Sequence, residues 1–459
     1  SLSMEGPAFA LADVNGDGRM DVFAGGAQAQ PGGLFVQQPD GTFALVQPEL
    51  WTEGAAREEV DAAFFDANGD GAPDLYVVSG GNQFAEGTDI LHDQLYLNNG
   101  QGQFQRATEN LPVLRTNGAC VAAADYDGDG DQDLFVGSRS LPGRYGLAPQ
   151  AFLLENDGQG RFADVTEARA PALRRPGMLT DAAWTDADGD GRPDLWLAGE
   201  WMPLTLARNT AAGFVLDSLP QTSGWWQQLL VLDADGDGDP DLVAGNLGLN
   251  SSLKATPETP CRLYVKDFDG NGATDPVLCY PREGKLYPWA SRDELLGQMI
   301  GLRRRMPSYE AYAAMTIETL FSAEELRGAV VREVETFASV YVENAGAGRF
   351  TVRALPQAAQ WAPLRALAAA DLDGDGYQDL LLAGNFYGVG PKRGRYDASA
   401  GLVLQGDGTG GWWPVPATTS GWVVPGQARA LGLWRDAQGR LRVWVARNDA
   451  AVLGWGEGS

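Results

Sequence analysis

Seven copies of one nonapeptide pattern, D-x-[DN]-G-[DN]-G-x-x-D, recur along the 459 residues, and repetition at intervals of tens of residues constrains the fold more than any local signal. The copies begin at Asp13 (DVNGDGRMD), Asp66 (DANGDGAPD), Asp125 (DYDGDGDQD), Asp186 (DADGDGRPD), Asp233 (DADGDGDPD), Asp267 (DFDGNGATD) and Asp371 (DLDGDGYQD). Oxygen-bearing side chains recur at positions one, three, five and nine. In the first four copies these are Asp13, Asn15, Asp17 and Asp21; Asp66, Asn68, Asp70 and Asp74; Asp125, Asp127, Asp129 and Asp133; and Asp186, Asp188, Asp190 and Asp194. The last three supply Asp233, Asp235, Asp237 and Asp241; Asp267, Asp269, Asn271 and Asp275; and Asp371, Asp373, Asp375 and Asp379.

A hard cation with oxygen ligands requires such spacing, and glycine at position six permits a sharp turn. The pattern opens like an EF-hand loop but ends differently, because a strand follows it and Asp at nine replaces the distant bidentate Glu. Asp-Gly-rich turns without metal are the alternative reading. The carboxylate-rich, flexible cage favours Ca²⁺ over Mg²⁺, giving up to seven Ca²⁺ sites. With Lys+Arg 34 against Asp+Glu 61, the net charge is −27, and seven divalent ions would bring it to −13. That charge argues against a nucleic-acid groove or an anionic membrane surface as partner.

Short runs rich in Leu, Val and Ala flank each loop, as in 119–124 and 134–137, and read as buried strands. A second hairpin usually follows with an Asn-Gly or Asp-Gly turn, as in QLYLNNGQGQF and FLLENDGQGRF. One unit is then four antiparallel strands, and the whole chain an all-β, single-domain β-propeller. Seven blades with an inserted hairpin at 262–280 is the preferred count; eight blades with one incomplete blade, counting a degenerate loop around Asp436 that should bind nothing, is the alternative. Between repeats six and seven, Ser291/Glu294 and Ser322/Glu325 have capping-box spacing. Leu295, Met299 and Leu302, then Ala313, Ile317 and Leu320, recur at helical intervals, so 291–327 is expected to be a small helical insertion carrying Arg303, Arg304 and Arg305.

The repeats, each followed by a short strand ending near Gly (DLFVG, DLVAG, DLLLAG), resemble FG-GAP or VCBS-type repeats, as in the integrin α-subunit propeller. The stretches GNLGLNSSLK, LYPWASR and TFASVYVEN are similar to bacterial VCBS-repeat proteins related to cartilage acidic protein. The resemblance implies a calcium-stabilised, secreted or cell-surface propeller used in adhesion or ligand binding. It also implies that the nonapeptides lie on one face and the ligand loops on the other, and that Asn271 leaves the sixth site weakest.

On that opposite face the connections between second and third strands are long. Asn82, Trp201, Asn246 and Asn385 follow closely after strand-ending glycines, and Gly-Arg-Tyr occurs twice, at Arg144-Tyr145 and Arg395-Tyr396. With Arg139, Tyr387, Lys392 and Arg393 they form the expected ligand-binding set, because Arg can pair with a carboxylate or sulfate and aromatic rings can cover a sugar face. The alternative is that these side chains lace the loops together. Trp225-Trp226 and Trp412-Trp413 are expected to pack between blades, His92 to be a surface residue and Cys120 a core residue. Cys261 and Cys279 flank the sixth loop closely enough to leave a disulfide open.

No catalytic motif is identifiable, so a non-catalytic module binding a glycan or protein is favoured. A polysaccharide lyase using Arg139, Arg144, Lys392 or Tyr396, and a surface-complex subunit docking through 291–327, are the alternatives. No run of about 18 apolar residues exists to span a bilayer. Ser1 to Met4 lack the apolar core of a signal peptide, so the chain is read as mature or trimmed.

Overall fold

The computed structural model describes residues 6–390 and 393–456; Ser1 to Met4 and Lys392 lie outside the described residues. Seven inner strands form the ring: Phe9–Ala12, Glu58–Phe65, Asn117–Ala124, Met178–Thr185, Gln228–Leu232, Leu364–Ala370 and Gln427–Arg435. Each contacts the next in chain order, and the last returns to the first. Every inner strand begins an antiparallel sheet that runs outward through its second, third and fourth strands; among the described residues the last sheet has three. The fold is an all-β propeller.

The second strands are buried on both faces, as in Asp74–Gly80 and Asp133–Ser140. Their sequences therefore read as continuous apolar runs rather than as alternation. The core is accordingly not central but lies in the seams between sheets: Tyr76, Val78 and Leu95 of the second sheet pack against Val121, Leu134 and Phe152 of the third. The seams are tight near the axis. A Cβ added to Gly118 would sit 2.3 Å from Val78 Cγ1 and 2.8 Å from the Ser79 carbonyl, so only glycine lets these two sheets approach.

The eighth sheet has no strand in the ring. It is inserted between the second and third strands of the fifth sheet, in the order Lys285–Pro288, Asp275–Arg282, Cys261–Lys266, Val330–Val334. The inserted hairpin expected from the sequence is thus half of a four-stranded sheet, and the sixth nonapeptide belongs to it.

Helices Arg292–Gln298, Tyr309–Ala313, Ile317–Leu320 and Ala323–Leu326 cover one face of this sheet. Both expected capping boxes form, at Ser291/Glu294 and Ser322/Glu325. Leu295, Met299, Leu302, Ile317 and Leu320 are buried as their spacing predicts. Ala313 is exposed, because its helix stops there and the chain turns before Ile317 restarts the pattern. Arg305 is held by Glu325, while Arg303 and Arg304 face solvent.

All three cysteines are free and buried. Arg262 pairs directly with Cys279, so Cys261 points to the opposite face of the sheet from Cys279. The two thiols lie in separate apolar clusters, and the disulfide left open by the sequence does not form. His92 is half-buried, with Nδ1 3.1 Å from the Leu114 carbonyl, and burial lowers its pKa. The tryptophan pairs divide. Trp226 and Trp412 pack in seams, whereas Trp413 is exposed and Trp225 faces a pocket. Among the described residues no helix is long and apolar enough to cross a membrane.

Candidate functional site

In each ring sheet the inner strand runs toward one face of the propeller, and six of the seven nonapeptides connect it there to the second strand. The glycines at positions four and six hold positive φ, for example 74° and 82° at Gly69 and Gly71. This winds the loop so that backbone N–H groups converge on the first Asp. Asp66 Oδ1 accepts from Gly69 and Asp70, and Oδ2 accepts from Gly71 at 2.8 Å.

Five loops bring the carboxylates of positions one, three and nine together, with ligand oxygens within 4.8 Å of one another. They are the loops of Asp125/Asp127/Asp133, Asp186/Asp188/Asp194, Asp233/Asp235/Asp241, Asp267/Asp269/Asp275 and Asp371/Asp373/Asp379. These residues suit a hard cation. The buried triad oxygens Asp133 Oδ2 and Asp188 Oδ1 have no hydrogen-bond partner among the described residues, and an unpaired buried carboxylate oxygen is costly unless a cation meets it. In the first two loops Asn15 and Asn68 supply an amide oxygen at position three, each accepting the N–H of position five.

Position five lies outside the triads. Asp17, Asp70, Asp129, Asp190, Asp237, Asn271 and Asp375 accept the N–H of position seven instead. Arg19 and Arg192 also pair with Asp17 and Asp190. Over the four positions the first, second and sixth loops hold three carboxylates each, the first two with Asn at position three and the sixth with Asn at position five. Around Asp436, Arg440 and Arg442 hold the carboxylate, and Leu441 pairs with Arg435 where the other loops have Asp at nine.

Position nine has a second task. Asp74 is buried, with Oδ2 accepting from Ala67 and Oδ1 from Asn98 on the third strand; the same pair of bonds recurs at Asp21, Asp194, Asp241 and Asp379. Burial is the main cause that raises these carboxyls, Asp74 and Asp194 to about 6 and Asp133 to about 7. The third-strand Asn then reaches the preceding blade. Asn98, Asn156, Asn209 and Asn344 donate from Nδ2 to the carbonyls of Val14, Ala67, Tyr126 and Ala187, each the second residue of the neighbouring loop. The same bond would couple a metal held in one loop to the next blade. Sequence reasoning took Asn99-Gly100 as a turn signal and passed over Asn98.

Two buried acids at the axis make a comparable link. Asp61 accepts from Ala62 and from Val121 of the next inner strand, and Asp181 accepts from Ala182 and Leu229. Burial raises both to about 7. A carboxyl raised on folding favours the folded state below its unfolded value near 4, and that contribution is lost as pH rises through about 7. In chelator, stability is therefore expected to fall on the order of a few kcal/mol between pH 5 and pH 8. A double variant, Asp61→Asn with Asp181→Asn, should flatten that slope in urea unfolding curves; an unchanged slope would refute the assignment.

The opposite face holds a pocket of about 580 Å³. Trp201, Trp225, Trp289, Phe386 and Tyr396 supply its aromatic lining, with Arg139, Arg365 and Arg393 at its polar edges. Glu200 organises one wall: Oε1 accepts from Arg139 at 2.7 Å and Oε2 from the Tyr145 hydroxyl at 2.6 Å. That hydroxyl accepts the Trp201 indole N–H at 2.8 Å, and burial is the first cause that pushes the Tyr145 phenol up. Trp201 has φ 60°, a left-handed conformation that costs a bulky residue about 1–3 kcal/mol. Arg393 lies over the Trp289 ring and pairs with Glu294 at 2.9 Å. The inserted sheet provides Leu263, Pro276, Leu278 and Trp289, so the insertion forms the outer wall.

Of the residues expected to bind ligand, Arg139, Tyr145, Trp201, Arg393 and Tyr396 converge here. The others do not. Asn246 is fully buried and bonds the backbone of Trp225, Leu247, Thr336 and Ala338, and Asn385 holds Ser399 and Gly426. Both amides are spent on loop backbone, which removes them from the ligand set. Asn82 lies 3.4 Å from Ser140 Oγ, Arg144 pairs with Glu86, and Arg395 stacks on Tyr387 at 4.6 Å. These side chains make contacts within the loops and do not line the pocket. Trp225, Trp289, Phe386 and Arg365 were missed, since they come from an inner-strand start, the insertion and a loop that only the closed ring brings together.

A family model for FG-GAP-like repeats matches residues 13–77, 66–136 and 186–244, and one for the FG-GAP repeat matches 364–404. These stretches are FG-GAP repeats, carried on a β-propeller. No curated protein matches it by sequence. Among solved structures this FG-GAP propeller is similar to an Agrocybe aegerita lectin described as recognising non-reducing terminal N-acetylglucosamine, at 14% identity over 96% of this chain and 86% of the lectin, with TM-score 0.44. It is also similar to the V. cholerae biofilm matrix protein Bap1, at 12% identity over 99% and 88% with TM-score 0.41. BBS1N in complex with ARL6DN gives 12% identity over 99% and 92% with TM-score 0.46.

Proposed function

We propose that this FG-GAP propeller is a non-catalytic, Ca²⁺-stabilised extracellular binding module whose ligand is a glycan held in the aromatic pocket. The observation that carries the reading is the convergence of Trp201, Trp225, Trp289 and Tyr396 with Arg393 in one concave site opposite the acidic loops. Flat rings cover the apolar faces of sugars, and guanidinium groups bond their oxygens. A strained tryptophan, fixed by Tyr145 and Glu200, supports a site organised before its ligand arrives.

The non-catalytic part of the reading rests on the same network. Glu200 spends both carboxylate oxygens on Arg139 and Tyr145, which suits a scaffold better than a base awaiting a proton.

Trp289→Ala and Arg393→Ala, both on the pocket rim, are expected to weaken binding of a glycan-array hit about tenfold or more, roughly 1.4 kcal/mol, with melting temperature unchanged. Unaltered binding by both variants would place the ligand elsewhere. Release of unsaturated uronate absorbance from any bound polysaccharide would overturn the non-catalytic reading in favour of a lyase.

A further inference from the structure

Six of the seven ring sheets send an aromatic ring from their outer side into the seam with the preceding sheet. Phe43, Phe104, Phe162, Phe214, Phe350 and Trp412 stand at or beside the start of the fourth strand in the first to sixth sheets. Phe43 meets Trp444 of the seventh sheet with ring centroids 4.5 Å apart, and Phe104 meets Trp51 in the segment after the first. Phe162 meets Phe65, Phe214 meets Tyr126, Phe350 meets Trp196 at 5.0 Å and Trp412 meets Tyr341. Among the described residues the seventh sheet ends at its third strand, Leu453–Gly456, and has no fourth strand to bring such a ring to its seam with the sixth.

That seam holds a cavity of about 680 Å³, lined by Leu372, Leu381 and Val403 of the sixth sheet and Trp455 of the seventh. The first three occupy positions that receive the ring in other seams. Leu372 is the second residue of its nonapeptide, as Tyr126 is, and Leu381 lies two residues past position nine, as Trp196 does. Val403 lies three residues before Gly406, whose N–H reaches Asp379, just as Tyr341 lies three before Asn344, whose N–H reaches Asp241. The ring-receiving surface is therefore repeated in the sixth sheet. Trp455 packs edge-on against Trp422 at 6.0 Å and forms a wall of the cavity rather than its filling.

The fourth strand of every other ring sheet is also an edge strand, so an edge by itself marks nothing. The slot beside it sets the seventh sheet apart. An extended segment laid antiparallel along Leu453–Gly456 turns alternate side chains to the two faces of the sheet, and one facing the sixth sheet enters the cavity.

We propose that the seventh sheet accepts, as its fourth strand, an extended segment of another polypeptide that carries a Phe or Trp, with that ring seated in the cavity between the sixth and seventh sheets. This is β-strand addition, in which backbone hydrogen bonds supply affinity and a side-chain slot supplies selectivity. Residues 1–5, 391, 392 and 457–459, which lie outside the described ones, contain no aromatic side chain to serve as the ring. The cavity shares no lining residue with the glycan pocket, so the two proposals stand apart.

The test is titration of the whole chain in Ca²⁺ with a labelled peptide of residues 349–355 (RFTVRAL), which contains the fourth strand of the fifth sheet, read by fluorescence anisotropy and amide hydrogen exchange. This peptide and its Phe350→Trp form are expected to bind, and its Phe350→Ala form to bind about tenfold or more weakly. Binding should slow exchange at residues 453–455. Thr419 is exposed at the cavity, so Thr419→Trp in the propeller should plug the slot and weaken the Phe peptide about tenfold with the melting temperature unchanged. Absence of binding by both ring-bearing peptides, equal binding by the Ala form, or slow exchange at 453–455 before any peptide is added would overturn the proposal. A dimer that forms with rising concentration and excludes the peptide would overturn it in favour of pairing between two copies of this chain.

Discussion

Chelation of divalent cations is expected to lower the melting temperature by more than about ten degrees and to broaden or split the transition. A site at free ion about one hundred times its dissociation constant stabilises the folded state by about 2.7 kcal/mol. Five carboxylate triads together reach the whole stability of an ordinary domain, roughly 5–15 kcal/mol. Without ions each loop holds several carboxylates in close mutual repulsion. The loss should spread beyond the loops, because Asn98, Asn156, Asn209 and Asn344 tie four of them to the third strand of the following blade. Scanning calorimetry in Ca²⁺, in Mg²⁺ and in chelator checks this: Ca²⁺ should restore the single transition, and Mg²⁺, which demands a stricter octahedral cage, should not. Identical transitions in all three would remove the structural role of the loops.

Asp241→Ala should cost about 3–5 kcal/mol even in chelator, far more than the loss of any position-five residue. Asp241 is buried and accepts from Asn344 N at 2.8 Å, Ala234 N at 3.1 Å and the Tyr341 hydroxyl at 2.7 Å. Removing it leaves three donors unpaired at the seam between the fifth and sixth sheets. Asp237 is exposed and accepts the Asp239 N–H, so Asp237→Ala should cost under about 1 kcal/mol in chelator. Urea unfolding of the two variants separates the roles, and equal losses would show that position nine acts only through the metal.

The contrast between positions five and nine marks where sequence reading ends. Spacing alone gives four equivalent oxygens per loop. The folded chain makes them unequal, because position nine opens the second strand and is buried between sheets whereas position five stays at the loop tip. The same limit explains the ligand set. Asn246 and Arg139 both close a strand on the ligand face, yet Asn246 is sealed by the chain returning from the insertion while Arg139 reaches the axis.

The sequence by itself determined the repeat, the strand–loop–strand unit, the propeller architecture and the capped helices of the insertion. All of these follow from interactions within a few residues: carboxylate and glycine spacing, the apolar runs of doubly buried strands, and a Ser three residues before a Glu. Only the tertiary structure decided that Cys261 and Cys279 face opposite sides of a sheet, that the insertion walls a pocket, and that Trp225, Trp289 and Phe386 meet there. Those outcomes depend on closing the ring and on how one sheet lies over its neighbours' loops, contacts between residues up to hundreds of positions apart that no local period encodes.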